Sequence, residues 1–225
     1  MTISSQIAAT QLFEWTSFDA DSLLPGDWDA ELLEIARRHA VARTLIPTSS
    51  TSRESQSVES LPSLTVGGVI VRRELPWLAE LYETTFLELA QRTVDEPVVT
   101  AHDPRYGVVL NVKRGRHMRY ECHLDSNPLE GLLYATTHAP GEGGDLVVSN
   151  RGDVPDMEAV DADCSRIHPV KGQLVFFDGS RNSHYVRPLV SDDTVRVVAA
   201  MNYYVPSLPE ALRPADLNRH LFGED

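Results

Sequence analysis

The chain has 225 residues, a length that suits one domain and excludes a long repeat array or two independent catalytic domains. Hydrophobic residues make up 42% and charged residues 24%, which is enough apolar material for a core and excludes wholesale disorder. Thirty-three Asp+Glu against 20 Lys+Arg give a formal charge of -13, and so acidic a surface repels phosphate backbones and anionic lipid, which makes nucleic acid and membranes poor partners.

The start, MTISSQIAATQLFEW, lacks the basic and apolar regions of a secretory signal. The two cysteines, Cys122 and Cys164, do not make a disulfide framework. With no stretch near the ~20 apolar residues of a membrane helix, the expected location is the cytoplasm. Residues 1–96 read as mainly helical. The run from Asp29 to Val41 places Leu32, Leu33, Ile35 and Ala36 on one side of a helix. The run from Pro47 to Ser63 is Ser-rich and poor in large apolar side chains, so burial cannot repay the entropy of ordering it. It reads as a mobile loop, either a plain linker or a lid. A second helix is expected over Glu74 to Val94, with Trp77, Leu78, Leu81, Phe86 and Leu89 at helical spacing facing the core.

From Pro97 onward, short runs rich in Val, Ile, Leu, Tyr and Phe alternate with Gly, Pro, Asn and Asp clusters, which is the texture of strands and turns. Strands are predicted at Val98 to His102, Val108 to Val112, Met118 to His123, Gly131 to Thr137, Asp145 to Ser149, Ser165 to His168, Gln173 to Phe177, His184 to Arg187 and Val195 to Val205. This pattern suits a jelly-roll barrel. The expected fold is mainly β with flanking helices (α+β): a single domain over 1–225, with helical support and a loop in 1–96, a double-stranded β-helix (cupin-like) core in 97–206 and a short helical tail in 207–225.

The pattern richest in chemistry is His123-Leu124-Asp125 followed, after a long interval, by His184. On a strand, side chains two residues apart share a face, so His123 and Asp125 can aim at one point while a later strand supplies His184. Two histidines and one carboxylate make a facial set that holds Fe(II) and leaves positions open for other ligands. By itself the spacing fits a solvated His-Asp pair equally well.

Downstream come Gly143-Gly144-Asp145-Leu146, Gly172-Gln173-Leu174-Val175-Phe176-Phe177, His184-Tyr185-Val186-Arg187-Pro188 and Thr194-Val195-Arg196. Over about Asn111 to Tyr204 this succession resembles the Fe(II)/2-oxoglutarate-dependent oxygenases, in the prolyl-hydroxylase-like branch. The resemblance implies that His123, Asp125 and His184 are iron ligands and that Arg196 pairs with the distal carboxylate of 2-oxoglutarate. It further implies that Tyr134 and Asn111 assist cosubstrate binding. Arg suits that role because its planar fork binds carboxylate bidentately and stays charged when desolvated. A structural ion pair is the alternative for Arg196, and because the His184 to Arg196 interval is two residues longer than usual, Arg187 is a rival anchor. The implied reaction consumes O2 and 2-oxoglutarate, releases succinate and CO2, and hydroxylates an unactivated C-H bond. Radical halogenases of the superfamily carry Gly or Ala in place of the carboxylate, so Asp125 favours hydroxylation.

For the substrate, the segment from His123 to Asn150 resembles small bacterial oxygenases that act on free amino acids. An amine-bearing small molecule is expected, read by polar residues near the metal: Arg119, Glu121, Asn127, Asp145 and Asn202. The loops Pro47 to Ser63 and Pro140 to Asp145 are its expected covers. His117, His138 and His168 lack ligand spacing and read as surface or loop residues, and Cys122, of opposite parity to His123, should pack outside the metal site. A cupin-type metalloenzyme that does not use 2-oxoglutarate, a peptide or protein hydroxylase, and a non-catalytic binding barrel are the competing readings.

Overall fold

The structure, a computed structural model, describes residues 13–47 and 50–222. In chain order these form β1 (Thr16–Asp19), α1 (Trp28–His39), β2 (Val41–Leu45), β3 (Leu61–Val66), α2 (Gly68–Glu74), α3 (Pro76–Glu83), α4 (Thr85–Gln91), β4 (Val99–Thr100), β5 (Val108–Arg114), β6 (Leu129–Tyr134), β7 (Leu146–Ser149), α5 (Met157–Asp161), β8 (Cys164–Ile167), β9 (Gln173–Phe177), β10 (His184–Val186), β11 (Val195–Tyr204) and α6 (Leu217–Phe222). An eight-stranded antiparallel sheet runs β1-β9-β6-β11-β5-β3-β2, with β4 pairing on β11. A three-stranded sheet, β10-β7-β8, faces it. The jelly-roll expectation holds.

The N-terminal part is more than helical support, because β1, β2 and β3 extend both edges of the large sheet. These strands are short or have mixed burial, so their alternation is weak in the sequence: β2 buries only Leu45 and β1 buries none of its residues. The long helix expected over Glu74 to Val94 is broken in two. Leu75 precedes Pro76 and is pushed out of the helical region (φ -126, ψ 61). At Thr84 the side-chain hydroxyl donates to the carbonyl of Glu80 at 2.7 Å and competes with the ladder. Met118 to His123 is not a regular strand but an extended segment bridged at His123 to both Ser52 and His184.

Alternation along the central strands divides the core. On β11, Val197, Ala199, Met201 and Tyr203 face the helices, packing with Leu32, Leu78 and Phe86, while Val198, Ala200 and Tyr204 face the barrel interior. On β6, Leu129 and Leu133 face the helices and Leu132 and Tyr134 face inward. The same two-residue period puts Arg196 inward on β11, Asn111 and Lys113 inward on β5, and Glu130 inward on β6. Among the described residues no helix is long and apolar enough to cross a membrane.

Candidate metal centre and active site

His123 and His184 form a reciprocal backbone pair, each N–H donating to the other's carbonyl at 3.0 Å. This places both imidazoles on one side, with ring centroids 4.3 Å apart. Asp125 lies beyond the bridge and is held by its own N–H donating to the carbonyl of Gly179 at 3.0 Å. One ligand atom from each of His123, Asp125 and His184 falls within 4.8 Å of the others. The expected convergence is therefore real, but a clamped loop produces it rather than the pleat of a continuous strand.

Each histidine is prepared as a ligand. Nδ1 of His123 lies 2.9 Å from the carbonyl of Glu121 and Nδ1 of His184 lies 2.9 Å from that of Asn182. A nitrogen bonded to a carbonyl must carry the proton, so both Nε2 atoms are left as acceptors. Those Nε2 atoms point at Asp125, at 3.2 Å and 3.5 Å from its two oxygens. In the metal-free protein the Nε2 atoms take up protons instead: burial works against the charge on Asp125, but the charge of protonated His184 and hydrogen bonds from both protonated rings hold its carboxyl well below the usual carboxylate range. Burial pulls His123 down, and the bond to Asp125 together with that group's charge outweighs it, so His123 lies above its ordinary value. Gly179 is packed so tightly here that a methyl group in its place would overlap Asp125 Oδ2. Two imidazole Nε2 atoms and a carboxylate, converging within 4.8 Å, fit a divalent transition metal such as Fe(II), which would replace the protons between them.

Two compartments meet at these residues. The deeper one, about 490 Å³ with the open space at its mouth, reaches from His123, Asp125 and His184 to Lys113 and Arg196 between walls of Leu132, Leu146, Phe177 and Val198. Arg196 is 1% exposed and its guanidinium lies 5.3 Å from the centre of the Tyr134 ring. Lys113, directly opposite Arg196 in the β5–β11 register, is fully buried. Neither Lys113 Nζ nor Arg196 Nε has a hydrogen-bond partner among the described residues. Burial brings the Lys113 ammonium down to about 7; the Arg196 charge adds to this and Glu121 opposes it. Two desolvated cations side by side call for an anion. The rival anchor Arg187 is engaged elsewhere, with Asp161 at 2.7 Å and the Tyr185 hydroxyl at 3.2 Å. Gly144, at φ +77, passes so close to the Arg196 side chain that no larger residue fits without displacing it.

The outer compartment, about 760 Å³ including open space, is shared between Glu121, Asn127, Glu130 and Asn202 near the metal ligands and Tyr106, Arg213, Leu217 and Leu221 farther out. Asn111 lines both compartments. Of the residues expected to read substrate, Glu121, Asn127 and Asn202 line this compartment. Arg119 does not, because Glu54 takes its guanidinium at 2.6 and 2.8 Å. Nor does Asp145, which is buried against His168 Nδ1 at 2.6 Å and lines neither compartment. His138 is buried, with Nε2 3.1 Å from the carbonyl of Val195, and is no surface residue. Cys122 packs with Val147, Val160 and Tyr185, outside the site as expected.

In its described part the Ser-rich segment is hydrogen-bonded to the ligand-bearing segment, and Thr51 lines the outer compartment. Arg53 N–H donates to the carbonyl of Cys122 and Leu124 N–H to that of Thr51, while Glu54 also accepts from the N–H of Cys122 at 2.6 Å. Its polar groups satisfy the outer edge of the ligand-bearing segment, which pairing rather than apolar burial stabilises. The Pro140 to Asp145 turn lies away from both compartments. Lys113 and Glu130 were missed in the sequence; counting by two from Asn111 and Tyr134 along their strands finds both.

A jelly roll with a partly buried His-Asp-His centre and a cationic recess beside it is the arrangement expected of a metal-dependent oxygenase of the 2-oxoglutarate type. The family model described as "2OG-Fe(II) oxygenase superfamily" matches residues 108–204, which carry all three metal-site residues and Arg196. Over this stretch the chain is similar to that superfamily of Fe(II)/2-oxoglutarate-dependent dioxygenases. Its fold is similar to that of AviO1 from Streptomyces viridochromogenes Tue57 (18% identity, TM-score 0.61, covering 88% of this chain and 93% of that one). It is also similar to a Trichoplax adhaerens prolyl hydroxylase in complex with a hypoxia inducible factor peptide fragment (14%, 0.58, 86% and 84%). A third similar structure is HygX from Streptomyces hygroscopicus with nickel, 2-oxoglutarate and hygromycin B bound (11%, 0.57, 86% and 84%). No curated protein matches the chain in sequence.

Proposed function

We propose that this oxygenase hydroxylates a small polar metabolite, with a free amino acid as the favoured class. In this reading His123, Asp125 and His184 hold the iron, and Arg196, helped by Lys113, holds the distal carboxylate of 2-oxoglutarate. The observation that carries the reading is the convergence, in one cavity, of a three-residue metal site and two buried basic side chains, Lys113 and Arg196, that form no ion pair within salt-bridge distance among the described residues. When bound, Fe(II) with 2-oxoglutarate and O2 supplies the oxidising power, at the expense of succinate and CO2 formation. The chain's own residues do the rest. Arg196 and Lys113 fix the cosubstrate's far end, Tyr134 supports the Arg196 guanidinium from below, and Leu132, Leu146 and Val198 keep water from the recess.

A small substrate is supported by the outer compartment, which falls in the ~300–1,000 Å³ range of small-ligand sites and is walled on several sides by β3, the segment around Thr51 and α6. Among fold relatives, HygX holds hygromycin B and the Trichoplax enzyme holds a peptide; the enclosing walls here favour the former kind of ligand. With Arg119 engaged by Glu54, Arg213 is the cation positioned to take a substrate carboxylate. Its guanidinium is stacked 3.9 Å from the centre of the Tyr106 ring. Anaerobic addition of Fe(II) and 2-oxoglutarate should produce a weak visible charge-transfer band, and a succinate-release screen over free amino acids should give a product 16 Da heavier. Coupled turnover confined to peptides would overturn the small-substrate reading.

A further inference from the structure

We propose that Glu130 is the group that recognises a basic nitrogen on the substrate, which makes a cationic amine, rather than a hydroxyl, the substrate feature placed beside the metal. The inference deepens the oxygenase reading and rests on it. Glu130 is 8% exposed and lines both compartments, so it stands where cosubstrate and substrate ends meet. Its single hydrogen bond among the described residues comes from Asn127 Nδ2, at 3.1 Å to Oε2. The same amide also donates to the carbonyl of Leu129 at 2.9 Å, and this fixes the Glu130 head group before any ligand arrives. Among the described residues Oε1 has no hydrogen-bond partner, and no Lys, Arg or His forms an ion pair with Glu130.

Such a placement is costly for the free protein. A buried carboxyl without a cation is disfavoured, and Asp125 nearby is a like charge. Recognition of a hydroxyl would not require it, since a Gln, Asn or Ser offers the same hydrogen bonds without the charge. An ammonium supplies what the site lacks: a positive charge that offsets the burial of the carboxylate and N–H donors for its open oxygen. The two compartments then have opposite electrostatic character. Lys113 and Arg196 take the anionic cosubstrate in the recess, and Glu130 takes the cationic end of the substrate at the recess mouth.

The test is calorimetric titration of the protein loaded with Ni(II) and 2-oxoglutarate. The probes are the proteinogenic L-amino acids, each against its 2-hydroxy acid, and putrescine against 1,4-butanediol. The wild-type protein should bind at least one amine about tenfold or more tighter than its hydroxy counterpart, and Glu130→Gln should remove that preference while the hydroxy counterpart moves little. The amine-to-hydroxy ratio separates recognition from a structural role, because a loosened fold would weaken both members of a pair alike. No amine preference in the wild-type protein, or an undiminished one in Glu130→Gln, overturns the proposal. Failure of wild-type Ni(II) protein to bind 2-oxoglutarate would instead overturn the oxygenase reading beneath it.

Discussion

Replacing Lys113 by Met should stabilise the ligand-free protein and weaken its hold on 2-oxoglutarate, two effects of opposite sign from one buried charge. Lys113 is fully buried beside Arg196, and its ammonium titrates at about 7 against an ordinary 10.5. The folded-state value is the lower one, so the unfolded chain binds the extra proton more tightly and protonation favours unfolding. The penalty is full below pH 7, shrinks as pH rises from 7 to 10.5, and vanishes above that window. It amounts to about 5 kcal/mol at pH 6 and about 2 kcal/mol at pH 9. Met fills much of the same volume without the charge. Urea unfolding of metal-free protein should therefore show Lys113→Met more stable than wild type at pH 6, with the advantage reduced by about 3 kcal/mol at pH 9. Because every other titrating group is common to both proteins, the comparison reads Lys113 together with its coupling to Arg196 and Glu121. Loss of one charged hydrogen bond of about 1.5–3 kcal/mol should at the same time raise the 2-oxoglutarate dissociation constant of the Ni(II) protein by about 10- to 150-fold. A variant that is less stable than wild type at pH 6, or that binds 2-oxoglutarate normally, refutes the assignment of Lys113 as an uncompensated cation awaiting a carboxylate.

His123→Ala, Asp125→Ala and His184→Ala should each abolish turnover and the thermal upshift that added Ni(II) gives wild type, while far-ultraviolet circular dichroism stays unchanged; full metal loading with wild-type activity in any of them refutes the triad. Arg196→Ala should raise the 2-oxoglutarate requirement steeply, by about 2–5 kcal/mol of binding, whereas Arg187→Ala, which only frees Asp161 and Tyr185, should leave it unchanged; titration of both variants decides between them. Gly179→Ala should lower metal affinity with the fold intact, because the added methyl group displaces Asp125 Oδ2, and metal content after dialysis reads this directly.

Much of the barrel was legible because its strands obey local rules. The runs at Gln173 to Phe177 and Val195 to Val205 are long, β-branched and flanked by turn residues, and the structure places strands there within a residue. The candidate metal-site residues His123, Asp125 and His184, and the buried Arg196 beside them, were visible through spacing and ordered motifs, since they sit on consecutive or well-marked segments. Sequence could not show β1 and β2, whose edge positions leave most side chains exposed and erase the alternation. Nor could it show that Glu54, more than sixty residues away along the chain, would take Arg119. A charged residue's role depends on which partner reaches it first, and that is a property of the packed chain. For Lys113 and Glu130 the residue type argued for the surface, and only closure of β5, β6 and β11 around one cavity turned their side chains inward. Local periodicity and motif order specify which segments become strands and which side chains can bind a metal. Burial, and with it the presence or absence of a counter-charge, is decided by contacts distant in sequence, and on that depended the acidic and basic halves of this site.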